Sequence, residues 1–266
     1  MLKKVGPFEF VRSLRRILAG KPQIPPSLQD NQLLQVILRR RSVRRFAARD
    51  IPEDVWQAIL EAGRLAPSTV NLQTWSFATF TARSWQATFG SPLPFKGNRA
   101  VLVMGDIHRQ QALAAQLPDS PLIFYTLAVI NASLAAMAMN LAAEALGVSS
   151  VMLSETGRSG LLDIGYLKQK LELPDGVFPL MTIIFGYANG PYPPMPPKLP
   201  LDQVCFEGKY REPDPAVMED WLSQMIAGYK AMRPLSSFEA QLRLYQSKIG
   251  QAEADLRSMI YFKKSR

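Results

Sequence analysis

The chain of 266 residues has one cysteine, Cys205, and one histidine, His108, and each scarcity removes a class of chemistry. A single cysteine excludes an intrachain disulfide, a thiolate-held iron–sulfur cluster and any CxxC zinc site, and it fits a reducing, cytoplasmic setting. A single histidine leaves a Ser-His-Asp triad or a histidine-rich metal centre only that residue to be built around, so no metal site is expected. His108 follows Asp106 at the end of an apolar run, where an exposed loop imidazole is the ordinary outcome. No low-complexity tract and no repeat at solenoid periods is present, and 47% hydrophobic with 20% charged residues is the composition of a globular protein. The first 21 residues lack the continuous apolar stretch and small-residue cleavage site of a secretory signal.

Acidic residues are also scarce, but only at one end. Residues 1–46 hold eleven Lys or Arg against two acids, which accounts for the whole net charge of +9, while the remaining 220 hold twenty of each sign. Charge concentrated in this way points to a local anion site rather than a basic groove. A nucleic-acid reader would also need aromatic or base-edge chemistry beside the charges, and only Phe8, Phe10 and Phe46 stand there, so no nucleic-acid partner is expected. The basic, weakly amphipathic start reads as a peripheral extension, with weak contact to a membrane surface as the alternative to simple packing on the protein.

Residues 122–146 run for 25 positions with Glu144 as their only charge, long enough for a membrane span. Eight alanines, the interruptions Asn131, Ser133 and Asn140, and flanks without basic or aromatic anchors argue instead for a core helix touched on every side, and no transmembrane segment is expected. Around it the periodicities alternate. Residues 32–40 and 52–65 read as amphipathic helices, and 76–81, 100–105, 149–153 and 178–186 as strands, giving a mixed α+β order. The stretch GPYPPMPPKLP at 190–200 holds six prolines and reads as an extended arm, followed by two polar helices at 215–232 and 235–262.

The densest chemical signal is Arg39-Arg40-Arg41-Ser42-Val43-Arg44-Arg45-Phe46, where a helix gives way to an extended segment. Five arginines in seven positions repel one another unless an anion neutralises them, and a phosphate monoester suits guanidinium forks supplemented by the Ser42 hydroxyl. Alternation along an extended segment would send Arg45 to the side opposite Arg44. A second segment, Ala66-Pro67-Ser68-Thr69-Val70-Asn71-Leu72-Gln73-Thr74-Trp75, offers donors and acceptors suited to the edge of a heteroaromatic ring, with Trp75 as an apolar wall. Taken singly, the first is also compatible with a solvated basic turn and the second with an ordinary polar turn.

Together the two segments resemble the start of nitroreductase-family proteins, whose pattern runs R-R/H-S-x-R/K and then A-P-S-x-x-N-x-Q-P-W. Ala142-Ala143-Glu144-Ala145-Leu146-Gly147-Val148-Ser149-Ser150, Phe185-Gly186-Tyr187 and Lys198-Leu199-Pro200-Leu201 are further landmarks in the family's order. The resemblance covers roughly residues 30–210. It implies an α+β fold, a nitroreductase-like FMN-binding sandwich with a central antiparallel or mixed sheet flanked by helices, and a homodimer with FMN sites built from both subunits. On this basis residues 1–29 are a basic N-terminal extension, 30–210 the FMN-binding domain and 211–266 a helical extension. Arg40, Arg41, Ser42 and Arg44 match residues that hold the FMN phosphate and ribityl chain, and Lys198 the basic residue reaching the same phosphate. Ser68, Thr69 and Asn71 match residues lining the flavin ring, in part from the other subunit. Ser154 and Glu155 fall where backbone N–H groups stand near flavin N5 and O4.

Three positions depart from the family pattern: Thr74 replaces proline, Asn131 stands where aspartate is frequent, and Ser154-Glu155 replaces a glycine-bearing pair. The reaction implied is ping-pong transfer of hydride from NADPH or NADH through flavin N5 to a nitroaromatic, a quinone or a similar electron-poor acceptor, with no catalytic side chain needed. Two other readings fit the same residues. One is specialised flavin chemistry, either oxygen-dependent turnover or dehydrogenation of a heterocycle. The other is a non-catalytic flavin-binding or partner-docking protein.

Overall fold

The structure is a computed structural model and describes residues 5–22, 24–110, 116, 119–154 and 160–261. Its helices are α1 (Pro7–Ala19), α2 (Gln32–Arg39), α3 (Glu53–Arg64), α4 (Ala82–Phe89), α5 (Pro121–Ala145), α6 (Ile164–Lys170), α7 (Leu201–Val204), α8 (Pro215–Met232) and α9 (Phe238–Ile260). Strands β1 (Trp75–Thr81), β2 (Arg99–Asp106), β3 (Ser149–Leu153) and β4 (Val177–Gly186) form one antiparallel sheet in the order β1-β2-β4-β3. The chain divides into two compact units, one joining its start up to Pro25 with Pro193–Ser247, the other joining Pro26–Tyr192 with the stretch from Lys248 onward.

The sheet belongs to the second unit, and the period-2 geometry of β2 explains its two apolar layers. Val101 and Val103 enter one buried cluster with Trp56, Ile59 and the alanines of α5, while Ala100, Leu102 and Met104 enter another with Phe80, Trp85 and Phe89. Both faces being covered, β2 and β4 are apolar almost throughout. α3 and α5 approach closely because small residues line the contact: a Cβ on Gly63 would stand 2.6 Å from Met139 Cγ. α4 is set by its ends, with a reciprocal Thr81–Ser84 capping box and Gly90 in the left-handed region.

α5 is the one helix among the described residues long and apolar enough to cross a membrane by length and composition. Its packing is one-sided. Ala128, Ala132, Ala135, Ala136, Met139 and Ala143 are buried with Asn131 and Asn140, whereas Leu122, Ile123, Ile130, Leu134 and Met137 are exposed. The sequence predicts cover on every side, but among the described residues the sheet and α3 cover the alanine face and leave the larger apolar side chains of the opposite face exposed.

The other unit is built on α1 and α8. Ser13 and Ile17 of α1 are buried, Ser223 Oγ donates to Glu9 Oε1 at 2.9 Å, and Arg12 and Arg16 both reach Asp220.

Candidate functional site

The arginine turn is built from the end of α2 outward. Arg41 Nη1 donates to the carbonyls of Leu38 and Arg40, both at 2.8 Å, so this guanidinium caps the helix whose C-terminus it follows. The chain then runs extended beside the edge strand β3. Ser42 bridges Ser150 in parallel, Val43 N–H donates to the Ser150 carbonyl at 3.0 Å, and Ala47 N–H donates to that of Tyr187 at 2.8 Å. Val43 and Phe46 are the buried anchors, leaving Arg44 and Arg45 both exposed between them. Strict alternation would have turned Arg45 inward. The spacing of three between the anchors keeps it out, and the Arg45 carbonyl accepts from Asn189 N–H at 2.9 Å. Arg44 Nη1 makes a long contact of 3.4 Å to the Ser42 carbonyl.

Glu144 and Tyr192 stand behind this turn and were not singled out from the sequence. Ser149 Oγ and Tyr192 Oη lie 2.8 Å apart. Burial raises the Glu144 carboxyl above its ordinary value, opposed by a hydrogen bond from Tyr192 and by the charges of Arg40 and Arg41. Burial likewise raises the Tyr192 phenol. Glu144 Oε2, Asn140 Oδ1 and Ser150 Oγ are buried without a hydrogen-bond partner among the described residues. The signal for Glu144 was present, as the one charge in a 25-residue apolar run. A charge there persists only with opposite charges beside it.

The second segment is held under backbone strain. Val70, Asn71 and Gln73 have φ of 45°, 57° and 49°, and Val70 is β-branched and 86% exposed, a combination that costs energy and needs its surroundings to enforce it. Those surroundings act through hydrogen bonds. Asn131 Oδ1, on fully buried Asn131, accepts from Thr69 N–H at 3.1 Å and Thr69 Oγ1 at 3.3 Å, and Asn131 Nδ2 donates to Thr74 Oγ1 at 2.8 Å. Ser68 Oγ accepts from Gln73 N–H at 3.0 Å, and Gln110 Nε2 donates to the Leu72 carbonyl at 2.6 Å. Two of the three departures from the family pattern are therefore partners. Asparagine brings an N–H that aspartate lacks, and threonine brings the acceptor that proline lacks.

Register fixes where the segments lie. Ser42 sits beside Ser150, and exposed Ser154 follows the far end of β3. Thr74 precedes β1, at the opposite edge of the sheet, where Trp75 pairs with Gly105 and Gly105 with Phe178. The arginine turn instead neighbours the other end of β4, about 26 Å away along eight residues at ~3.3 Å each. Within one copy, Arg40, Arg41, Ser42 and Arg44 are thus brought together, Ser154 lies along the same edge strand, and Ser68, Thr69 and Asn71 occupy the opposite corner. Lys198 is exposed in the other compact unit, and Glu155 lies outside the described residues. No group of three or more metal-ligating side chains occurs among the described residues.

Residues 37–187, which contain both segments, match the nitroreductase family. The chain is 29% identical over 188 residues to the NADPH-flavin oxidoreductase of Vibrio harveyi, covering 68% of this chain and 76% of that protein. It is 25% identical over 217 residues to an NADPH-dependent oxidoreductase of Staphylococcus aureus, covering 76% and 84%. Among solved structures, NfrA2 of B. megaterium has a TM-score of 0.70 at 18% identity over 86% of this chain and 96% of that one. The NADPH:FMN oxidoreductase of Vibrio harveyi, complexed with NAD+, has a TM-score of 0.67 at 21% identity over 86% and 98%. At such identities the structural likeness is one of fold. The family match spans the capped arginine turn, the strained loop and the sheet that separates them, and on that ground the chain belongs to the nitroreductase family.

Proposed function

We propose that this oxidoreductase binds FMN, accepts hydride from NADPH or NADH, and works as a homodimer in the cytoplasm. The observation that carries the reading is the run of β3. Ser42 bridges Ser150, and Ser154 lies four residues farther, about 13 Å at ~3.3 Å per residue. That span suits a mononucleotide with its phosphate at the arginine turn and its ring at the strand's end.

The residues present fit such a group. Five guanidinium groups are concentrated within seven positions, with Glu144 near Arg40 and Arg41, and a phosphate dianion suits such a concentration of positive charge. Arg40, Arg44 and the Ser42 hydroxyl would hold the phosphate and ribityl chain, and the capped Arg41 would add its charge. Lys198 is assigned to the same phosphate on the family resemblance. Backbone N–H groups at Ser154 and Glu155 would face the N5 edge of the ring. Ser68, Thr69 and Asn71 would line the ring from a second copy, because in their own copy they occupy the opposite corner of the sheet. The outward face of α5 supports that second copy: Ile123, Ile130 and Met137 recur every seven residues with Leu134 between, an exposed apolar seam.

Bound FMN would supply hydride acceptance and subsequent donation, in ping-pong order, to an electron-poor acceptor such as a nitroaromatic or a quinone. The chain's part is to bind, orient and shield, which agrees with its having one histidine and one cysteine. Anaerobic addition of NADPH, then NADH, to the FMN-loaded protein is the test. Bleaching of the flavin absorbance is expected with at least one, followed by recovery on adding a quinone. Failure to retain FMN, or persistence of the oxidised spectrum with both nucleotides, would sink the reading.

A further inference from the structure

Two apolar helix faces have no cover among the described residues, and their charges differ. The α5 face carries no charged residue from Pro121 to Ala143 and suits a second copy of itself. The α1 face is another matter. Folding fixes α1 by its inner side, through Ile17 beside Gly228, Glu9 with Ser223, and the pairs from Arg12 and Arg16 to Asp220 at 3.2 and 2.5 Å. The opposite side, at positions i, i+3, i+7 and i+10, carries Phe8, Val11, Arg15 and Leu18. Phe8 is 84% exposed and Leu18 70%. Arg12 adjoins this row, and Lys21 follows the helix.

We propose that α1 is a docking helix for an anionic lipid surface, its Phe8, Val11 and Leu18 entering the boundary between headgroups and acyl chains while Arg15, with Lys21 beyond the end of the helix, meets the lipid phosphates. Charge selects this occupant. α1 holds three arginines against Glu9 alone, and two of those arginines share a single carboxylate, so the helix keeps positive charge beside its apolar row. A second copy meeting the same face across a two-fold axis would set Arg15 near its own image, a like-charge contact that disfavours association. α1 is already held as a helix by α8, so docking would not have to bear the cost of ordering it.

The test uses the full chain loaded with FMN and cosedimentation with phosphatidylcholine vesicles, with and without phosphatidylglycerol. Binding is expected only to vesicles containing phosphatidylglycerol, and it should weaken as salt is raised. Phe8→Glu should lower vesicle affinity about tenfold or more, and Arg15→Glu about fivefold or more. Lys170→Glu, the same charge change at an exposed position on α6, should leave it unchanged. FMN content and sedimentation coefficient should stay constant in all three, and since the altered side chains are exposed, Arg15→Glu reports even if Phe8→Glu misfolds. Three results would overturn the proposal: no binding by the unaltered protein, equal binding by the variants, or a change of oligomeric state in Phe8→Glu without loss of vesicle binding. The last would assign the face to a second copy.

Discussion

Replacing Asn131 and Thr74 singly and together tests whether the strained loop is held from α5. Asn131 is fully buried, and its amide serves three hydrogen bonds, to Thr69 N–H, Thr69 Oγ1 and Thr74 Oγ1. Thr74→Val keeps the shape of the side chain but leaves Asn131 Nδ2 buried without an acceptor, a cost of about 1–3 kcal/mol. Asn131→Leu leaves the buried Thr74 hydroxyl without its donor and frees the Thr69 amide, at a similar ~1–3 kcal/mol. Thr69 itself is exposed, so water can take over its N–H, and the Thr74 term dominates. The double variant removes donor and acceptor together, so it should cost less than the sum of the singles by about 1–2 kcal/mol. Urea unfolding at one fixed protein concentration measures all four species, and limited proteolysis within residues 68–73 reports the loop itself. Additivity within ~0.5 kcal/mol would refute the coupling. Resistance of Asn131→Leu to cleavage in the loop would refute the claim that this contact enforces the positive φ angles.

The family pattern has a basic residue at the position of Arg44 and none at that of Arg45, so Arg44→Ala should weaken FMN binding by roughly one to two orders of magnitude, the worth of a charge-assisted hydrogen bond, while Arg45→Ala, though equally exposed, should matter far less; fluorescence titration of the two apo variants compares them at equal net charge. Equal losses would mean a diffuse basic field in place of a specific ligand. Because burial raises the folded-state pKa of Glu144, the folded protein retains a proton that the unfolded chain has released, so stability should fall as pH climbs from the ordinary carboxyl range through the raised value. Glu144→Gln should lack that step in a plot of Tm against pH, and an unchanged step would place the titration elsewhere. Leu134→Asp, in the middle of the exposed α5 seam, should shift sedimentation from dimer to monomer and lower FMN content with it. A monomer that kept its FMN would contradict a ring site completed by the partner.

Periodicity and side-chain chemistry are local properties, and what depended on them alone was legible in the sequence. The strand at Ser149–Leu153 and the helix at Pro215–Met232 fall where the pattern puts them, and the other expected strands and helices within a few residues. The two polar segments announced themselves by residue type and order, and the family match bears out the resemblance they carry. Three things required the third dimension. The alternation that predicted opposite sides for Arg44 and Arg45 failed because anchoring was set by pockets for Val43 and Phe46, beside β3 and the end of β4, which are far away in sequence. The meaning of Asn131 and Thr74 lay in their meeting across 57 positions, a contact that no window along the chain can contain. The compact units, each assembled from distant stretches of chain, and the opposite corners occupied by the arginine turn and the 68–71 loop follow from strand order and register. Those are settled by which hydrophobic faces find each other, and every residue of the sheet takes part in that choice.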